Sequence, residues 1–185
     1  MSSEILTLVG IILLLILASA FFSSAETALT AASDARMRQL AGKGNRRARL
    51  VERLRDDREG LIGSILIGNN AVNVIASALA TSVFISVLDD AGVLWATITM
   101  TVILVVFAEV MPKTYALTYS DKYALAIAPA VRVVVIVLSP LSIALRMLAN
   151  SLIRKQDMDE ADREEELRGM IELHGADGDA GDRET

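Results

Sequence analysis

Two carboxylates, Glu26 and Glu109, lie inside stretches that otherwise carry no charge. A charged side chain at depth in hydrocarbon is costly and is a functional candidate by default. Around Glu26 the run FFSSAETALTAAS (Phe21 to Ser33) sets Ser23, Glu26, Thr27 and Thr30 at i, i+3, i+4 and i+7, one stripe of a helix. The run GNNAVN sets Asn69 and Asn73 on one face at i, i+4, while Gly68 permits close backbone approach. The run AEVMPK joins Glu109 to Pro112 and Lys113; proline has no N–H, so in an α-helix the Ala108 carbonyl loses its donor. Every donor atom here is oxygen. The chain has no cysteine and one histidine, His174. Such a set suits a hard cation, Mg²⁺, better than Zn²⁺ or copper, and two carboxylates balance a divalent charge.

The elements that must position these groups follow from composition. The 185 residues are 53% hydrophobic, with mean hydropathy +0.47, too apolar for an ordinary soluble domain. Three stretches, about 5–33, 61–88 and 91–111, are long enough to cross hydrocarbon, which takes roughly 20 residues. A cleavable signal is the alternative for the first, with Ala18-Ser-Ala20 resembling a cleavage site. Glu4 and the lack of any preceding basic residue oppose it. The region 123–153 is interrupted by Pro129, Arg132, Pro140 and Arg146; it is expected to be a helix broken at its prolines, lying as a belt in the membrane interface.

Nine of the 18 basic residues fall between Arg36 and Arg58 and nine from Lys113 onward, with none before the first span or between the second and third. The positive-inside rule then places the N-terminus outside and the C-terminus in the cytoplasm. The loop 34–59 reads as amphipathic helices split at Gly42–Asn45, with basic faces able to meet anionic headgroups. Residues 156–185 read as an acidic cytoplasmic linker. Counted from Asp34, Glu59 and Asp121, the groups Ser23, Asn69 and Glu109 lie 11, 10 and 12 residues in. That is one depth of roughly 15–18 Å on three helices.

Blander roles compete. Ser24, Thr30 and Asn70 can serve as interhelical hydrogen-bond glue, and Glu109 can pair with Lys113 at i, i+4. No nucleophile–base pair is present, so an enzyme is not expected; a nucleic-acid partner is not expected either.

Taken together, FFSSAETAL, LIGNNAVN and FAEVMPK resemble the membrane domain of the CorC/cyclin-M (CNNM, hemolysin-like) magnesium transporters, over roughly residues 5–155. The resemblance implies an all-α membrane protein: three transmembrane helices, cytoplasmic amphipathic helices and a juxtamembrane belt helix, assembled as a homodimer in the inner (plasma) membrane. It implies an inward-facing site for Mg²⁺, transported outward, with Na⁺ as counter-ion. By motif position the ligands would be Ser23, Glu26, Asn69, Asn73 and Glu109, with Gly68 and Thr27 secondary and Pro112 a structural hinge. Family members usually continue into a cystathionine-β-synthase (CBS) pair, so nucleotide is expected only through CBS domains outside this chain. Two rival functions remain: a non-transporting sensor or assembly module, and a transporter of Na⁺ or H⁺.

Overall fold

The computed structural model describes residues 2–148. Helix α1 (Ser2–Ala31) is followed by α2 (Asp34–Gly42) and α3 (Arg46–Asp56), then by α4 (Arg58–Leu88). After a single 3₁₀ turn (Asp89–Ala91) come α5 (Gly92–Ile103), a π-helical stretch (Leu104–Val110) and α6 (Met111–Thr118). Helix α7 runs Ser120–Leu148. No strand occurs among the described residues. The expected linker 156–185 and the end of the expected belt helix lie outside them.

Local chemistry sets the boundaries. Asn45 accepts from the N–H groups of Arg47 and Ala48 and so caps α3, while Asp57 accepts from Gly60 N–H and caps α4. Gly44 takes φ 89°, the left-handed turn that separates α2 from α3, as the Gly42–Asn45 split anticipates. At the end of α1 the Arg55 guanidinium donates to Ala32 O at 2.8 Å and pairs with Asp34 at 3.0 Å. A cation at a helix C-terminus offsets the orphan carbonyls there.

Packing is inverted relative to a water-soluble bundle. Helix α1 buries Ser19, Ser23, Ala25 and Ala28 and turns Leu13, Leu14 and Leu17 outward. Helix α5 buries Gly92, Ala96 and Met100 at intervals of four and exposes Leu94, Trp95 and Ile98. Small residues inside and large apolar residues outside are what helices surrounded by lipid require. By length and composition, three continuous helical runs are able to cross a membrane: 3–31, 58–118 and 120–148. The middle run folds back on itself. A Cβ on Gly92 would lie 2.5 Å from Ile85 N and 2.6 Å from Phe84 C, so α4 and α5 meet backbone to backbone.

The three spans expected from sequence correspond to α1, α4 and the α5–π–α6 rod. The third extends to Thr118 because Pro112 sits in the first turn of α6 and does not end the helix. One expectation is corrected: Pro129 and Pro140 do not break α7, which is helical throughout its described length. Its contacts explain how it lies. Asp121 accepts from Ser33 N–H at 2.8 Å, Leu138 borders Gly68, and Ser142 borders Gly63. About 32 Å of α7, from Asp121 to Ser142, thus meets α1 and α4 over only about 16 Å of their length, so it crosses them obliquely. Beneath it Met37, Val51 and Leu54 of α2 and α3 join Ala28, Leu29, Ala128 and Val131 in one apolar cluster.

The two glycine contacts differ in what stands opposite. At Gly68 the obstacle is a ring edge, Phe22 Cζ at 2.7 Å, whereas at Gly92 it is backbone. Gly92→Ala is expected to cost about 1–3 kcal/mol, the usual cost of overpacking, and Gly68→Ala less because the Phe22 ring can swing away. Thermal unfolding in detergent measures both; equal losses would contradict this account of the hairpin.

Candidate functional site

Helices α1 and α4 are antiparallel, and two contacts set their register. Ser19 Oγ donates to Asn69 Oδ1 at 2.9 Å, and the Phe22 ring fills the space left by the missing Cβ of Gly68. The α5–π–α6 rod runs parallel to α1, and Lys113 Nζ lies 3.8 Å from Glu26 Oε2. From these pins the remaining levels follow at about 1.5 Å per residue. One turn from the Ser19–Asn69 pair, toward the α1 C-terminus, α1 carries Ser23 and α4 carries Ser64. One turn back from Lys113 the third rod carries Glu109, at that same level to within about a turn. Asn73 lies one turn to the other side of Asn69, and Glu26 one turn nearer the α1 C-terminus.

The hydrogen-bond inventory separates two kinds of polar group. Ser24 Oγ donates to the Ala20 carbonyl at 2.7 Å, leaving Tyr123 O–H, 2.9 Å away, to donate to Ser24 Oγ. Thr27 Oγ1 donates to Ser23 O at 3.2 Å and Thr30 Oγ1 to Glu26 O at 2.8 Å, bonds within α1 itself. In contrast, Ser23 Oγ, Ser64 Oγ and Asn73 Oδ1 are buried and have no hydrogen-bond partner among the described residues. A buried polar atom left unpaired costs about 1–3 kcal/mol, and each such atom in a native fold calls for an explanation, a bound ion or water among them. Two of the three are residues singled out by motif spacing.

The sequence-derived candidates therefore divide. Ser23 and Asn73 present free oxygens toward the interior. Asn69 is engaged by Ser19, which leaves its Nδ2 and one lone pair on Oδ1. Gly68 is buried as a packing surface for Phe22 and Leu138, and Thr27 is turned to its own backbone. Glu26 is 37% exposed at its side chain and faces Lys113, so the ion pair available to Lys113 is with Glu26 rather than Glu109. Exposed pairs of this kind contribute little to stability. Glu109 is half-buried in the π-helical stretch, which packs on α1. No group of three or more Asp, Glu, His or Cys side chains is assembled among the described residues. A cation held here must therefore complete its shell with neutral oxygens and water.

The π-helical stretch explains a misreading of Pro112. The Met111 N–H reaches Val106 O, five residues back. In that register the carbonyl whose partner would be Pro112 is that of Phe107, one residue earlier than α-helical counting gives. Widening the helix also removes the clash between the proline ring and the carbonyl four residues before it. Sequence reasoning missed Ser19 and Ser64 as well. Ser19 extends the Ser23–Thr27 stripe by one turn, a signal that was legible; Ser64 lies one turn before Gly68 on the buried face of α4.

Residues 10–184 match the family described as cyclin M transmembrane N-terminal domain. The UPF0053 inner membrane protein YfjD of Escherichia coli is 47% identical over 106 residues, 57% of this chain and 25% of that protein. A UPF0053 protein of Haemophilus influenzae is 40% identical over 116 residues, 63% of this chain and 28% of its own length. A chloroplastic DUF21 domain-containing protein of Arabidopsis thaliana is 32% identical over 175 residues, 90% of this chain and 27% of that protein. The chain thus spans about a quarter of the length of these relatives.

Stability separates glue from ligand. Ser19→Ala breaks an interhelical bond and is expected to cost about 0.6 kcal/mol, the mean for such bonds in a membrane protein. Ser23→Ala removes an unpaired buried oxygen and is expected to be neutral or stabilising. Unfolding in detergent without divalent cation reads both, and a destabilised Ser23→Ala chain would show that its hydroxyl is structurally engaged.

Proposed function

The chain belongs to the cyclin M family, and on that premise we propose that it carries Mg²⁺ across the membrane, outward, with Na⁺ as the counter-ion. The observation that carries this reading is the set of unpaired buried oxygens, Ser23 Oγ, Ser64 Oγ and Asn73 Oδ1, set between helices that also bring Glu26 and Glu109. Mg²⁺ gives up water reluctantly and keeps several of its water ligands. Few carboxylates are then needed: Glu109 supplies charge, Ser23 and Asn69 replace part of the hydration shell, and Asn73, one turn beyond Asn69, offers an oxygen at the next level.

Nine basic residues between Arg36 and Arg58 favour the α2–α3 side as cytoplasmic, and the Tyr115, Tyr119 and Tyr123 cluster marks a membrane interface near it. The N-terminus would then be outside, with the oblique α7 a belt near the inner surface. An ion entering from the cytoplasm meets Glu26 first and must displace the Lys113 ammonium; a divalent charge favours that exchange. Two copies assembled as a dimer complete the proposal, and the π-helical stretch before Pro112 is the point where the third rod can bend.

A second reading is favoured by the satisfied bonds Ser19–Asn69 and Ser24–Tyr123: a sensor or assembly module whose polar groups hold helices together. Flux decides between them. Proteoliposomes containing this chain are expected to release Mg²⁺ faster under a Na⁺ gradient. Glu109→Ala and Asn73→Ala should each slow this by at least about tenfold, the equivalent of 1.4 kcal/mol, while folding and dimerising normally. Native rates in both variants would remove the site. A native chain that moves no Mg²⁺ would leave the assembly reading.

A further inference from the structure

Helix α3 sorts its charges onto two clefts. One, on the Asp34 side, is lined by Arg38, Arg55 and Arg58 together with Asp34, Glu52 and Asp56, and is close to self-neutralising. The other, about 400 Å³, is lined by Arg46, Arg47, Arg49 and Arg53 and by Arg132 of α7. No carboxylate lines it, and none of these five guanidinium groups pairs with a carboxylate of the described residues. Arg49 is steered by its Nε, which donates to Ala41 O at 3.4 Å. The amides at the start of α3 are occupied by the Asn45 cap, so an anion there would be held by guanidinium groups rather than by the helix terminus. Five like charges converging on one open cleft repel one another unless an anion fills it. Arginine forks match phosphate oxygens in bidentate fashion.

What adjoins the cleft selects among phosphate bearers. Pro129 of α7 forms part of its wall. From there the same face of α7 continues as Val133, Ile136, Val137 and Leu141, which are 61%, 62%, 68% and 49% exposed. The basic cleft therefore opens onto an exposed apolar stripe at helical spacing. A soluble phosphate has no use for that stripe, whereas a glycerophospholipid has acyl chains to lay along it.

We propose that this cleft is a binding site for one anionic glycerophospholipid, its phosphate among Arg46, Arg47, Arg49, Arg53 and Arg132 and its chains on the Val133–Leu141 stripe. The site joins α3 to α7, whose Val51 and Val131 also share one apolar cluster. It stands apart from the cation site and does not depend on the transport reading, because lipid retention is measured without ion flux.

Native mass spectrometry of the full chain in neutral detergent, mixed with phosphatidylglycerol or phosphatidylcholine, tests it. Preferential retention of phosphatidylglycerol is expected. The triple variant R47Q/R53Q/R132Q should lose affinity by roughly fivefold per charge removed, from the usual strength of one basic residue near an anionic surface. R38Q, which takes a charge from the other cleft, should bind as native. Val137→Ser should weaken retention of the lipid while leaving inorganic phosphate without effect. Equal retention by the triple variant and R38Q would overturn the proposal. So would displacement of phosphatidylglycerol by inorganic phosphate alone, which would mark the cleft as a site for soluble phosphate.

Discussion

The close contact of α1 with α4 is the constraint on which the remaining geometry depends. It exists because Gly68 has no side chain where the Phe22 ring arrives, and its register is held by Ser19 Oγ on Asn69 Oδ1. Between helices surrounded by lipid there is little hydrophobic gain in association, so packing and hydrogen bonds must supply it. Slide the pair by one turn and Ser23 would no longer share a level with Ser64 and Glu109. The levels of the oxygens are consequences of that register, and so is the crossing of α7, which rests on Gly63 and Gly68 through Ser142 and Leu138.

Within this frame the polar groups have unequal roles. Ser24 and Tyr123 satisfy each other and tie α7 to α1; Asp121 ties it again at Ser33 and pairs with Arg36 at 3.4 Å. Those bonds close. Ser23, Ser64 and Asn73 remain open, in a setting where an open oxygen is unfavourable. A fold able to spend Ser24 on a neighbour could equally have placed alanine at position 23. That such atoms persist beside a carboxylate is the pattern expected where stability is given up for a site.

Much of this was legible in the residues. The three spans followed from charge-free length, and α2 and α3 from the alternation of basic and apolar residues around Gly42–Asn45. Of the stripe Ser23–Thr30, only Ser23 holds an unpaired buried oxygen, while Thr27 and Thr30 bond within α1. Other features were not legible, for identifiable reasons. Helix breaking at Pro129 and Pro140 is a local rule, but α7 stays helical through both, and around Pro129 its Ala128 and Val131 pack into the apolar cluster with α1, α2 and α3. Counting at 100° per residue fails across Leu104–Val110, where the π register turns each residue less, so the direction of Glu109 cannot be taken from α-helical periodicity. Which of two identical hydroxyls, Ser23 or Ser24, is satisfied depends on a tyrosine 99 residues away, beyond any local pattern.

The two halves of the helical rods are built differently, and that asymmetry bears on mechanism. Toward the α2–α3 side lie the interhelical polar pins: Ser19–Asn69, Ser24–Tyr123, Glu26–Lys113 and Arg55–Ala32. Toward the other side Ile12, Ile16, Ala76, Ala80, Met100 and Ala108 form a separate apolar cluster. Hydroxyls in that half, Thr81 and Thr97, bond only to their own helices. Parting the apolar cluster breaks contacts that are weak, short-ranged and re-formed without desolvating charge, whereas parting the pinned half would break interhelical hydrogen bonds such as Ser19–Asn69 and Ser24–Tyr123. The hydrogen-bonded half can stay fixed while the apolar half opens, and Leu104, at the start of the π-helical stretch, packs against that apolar cluster.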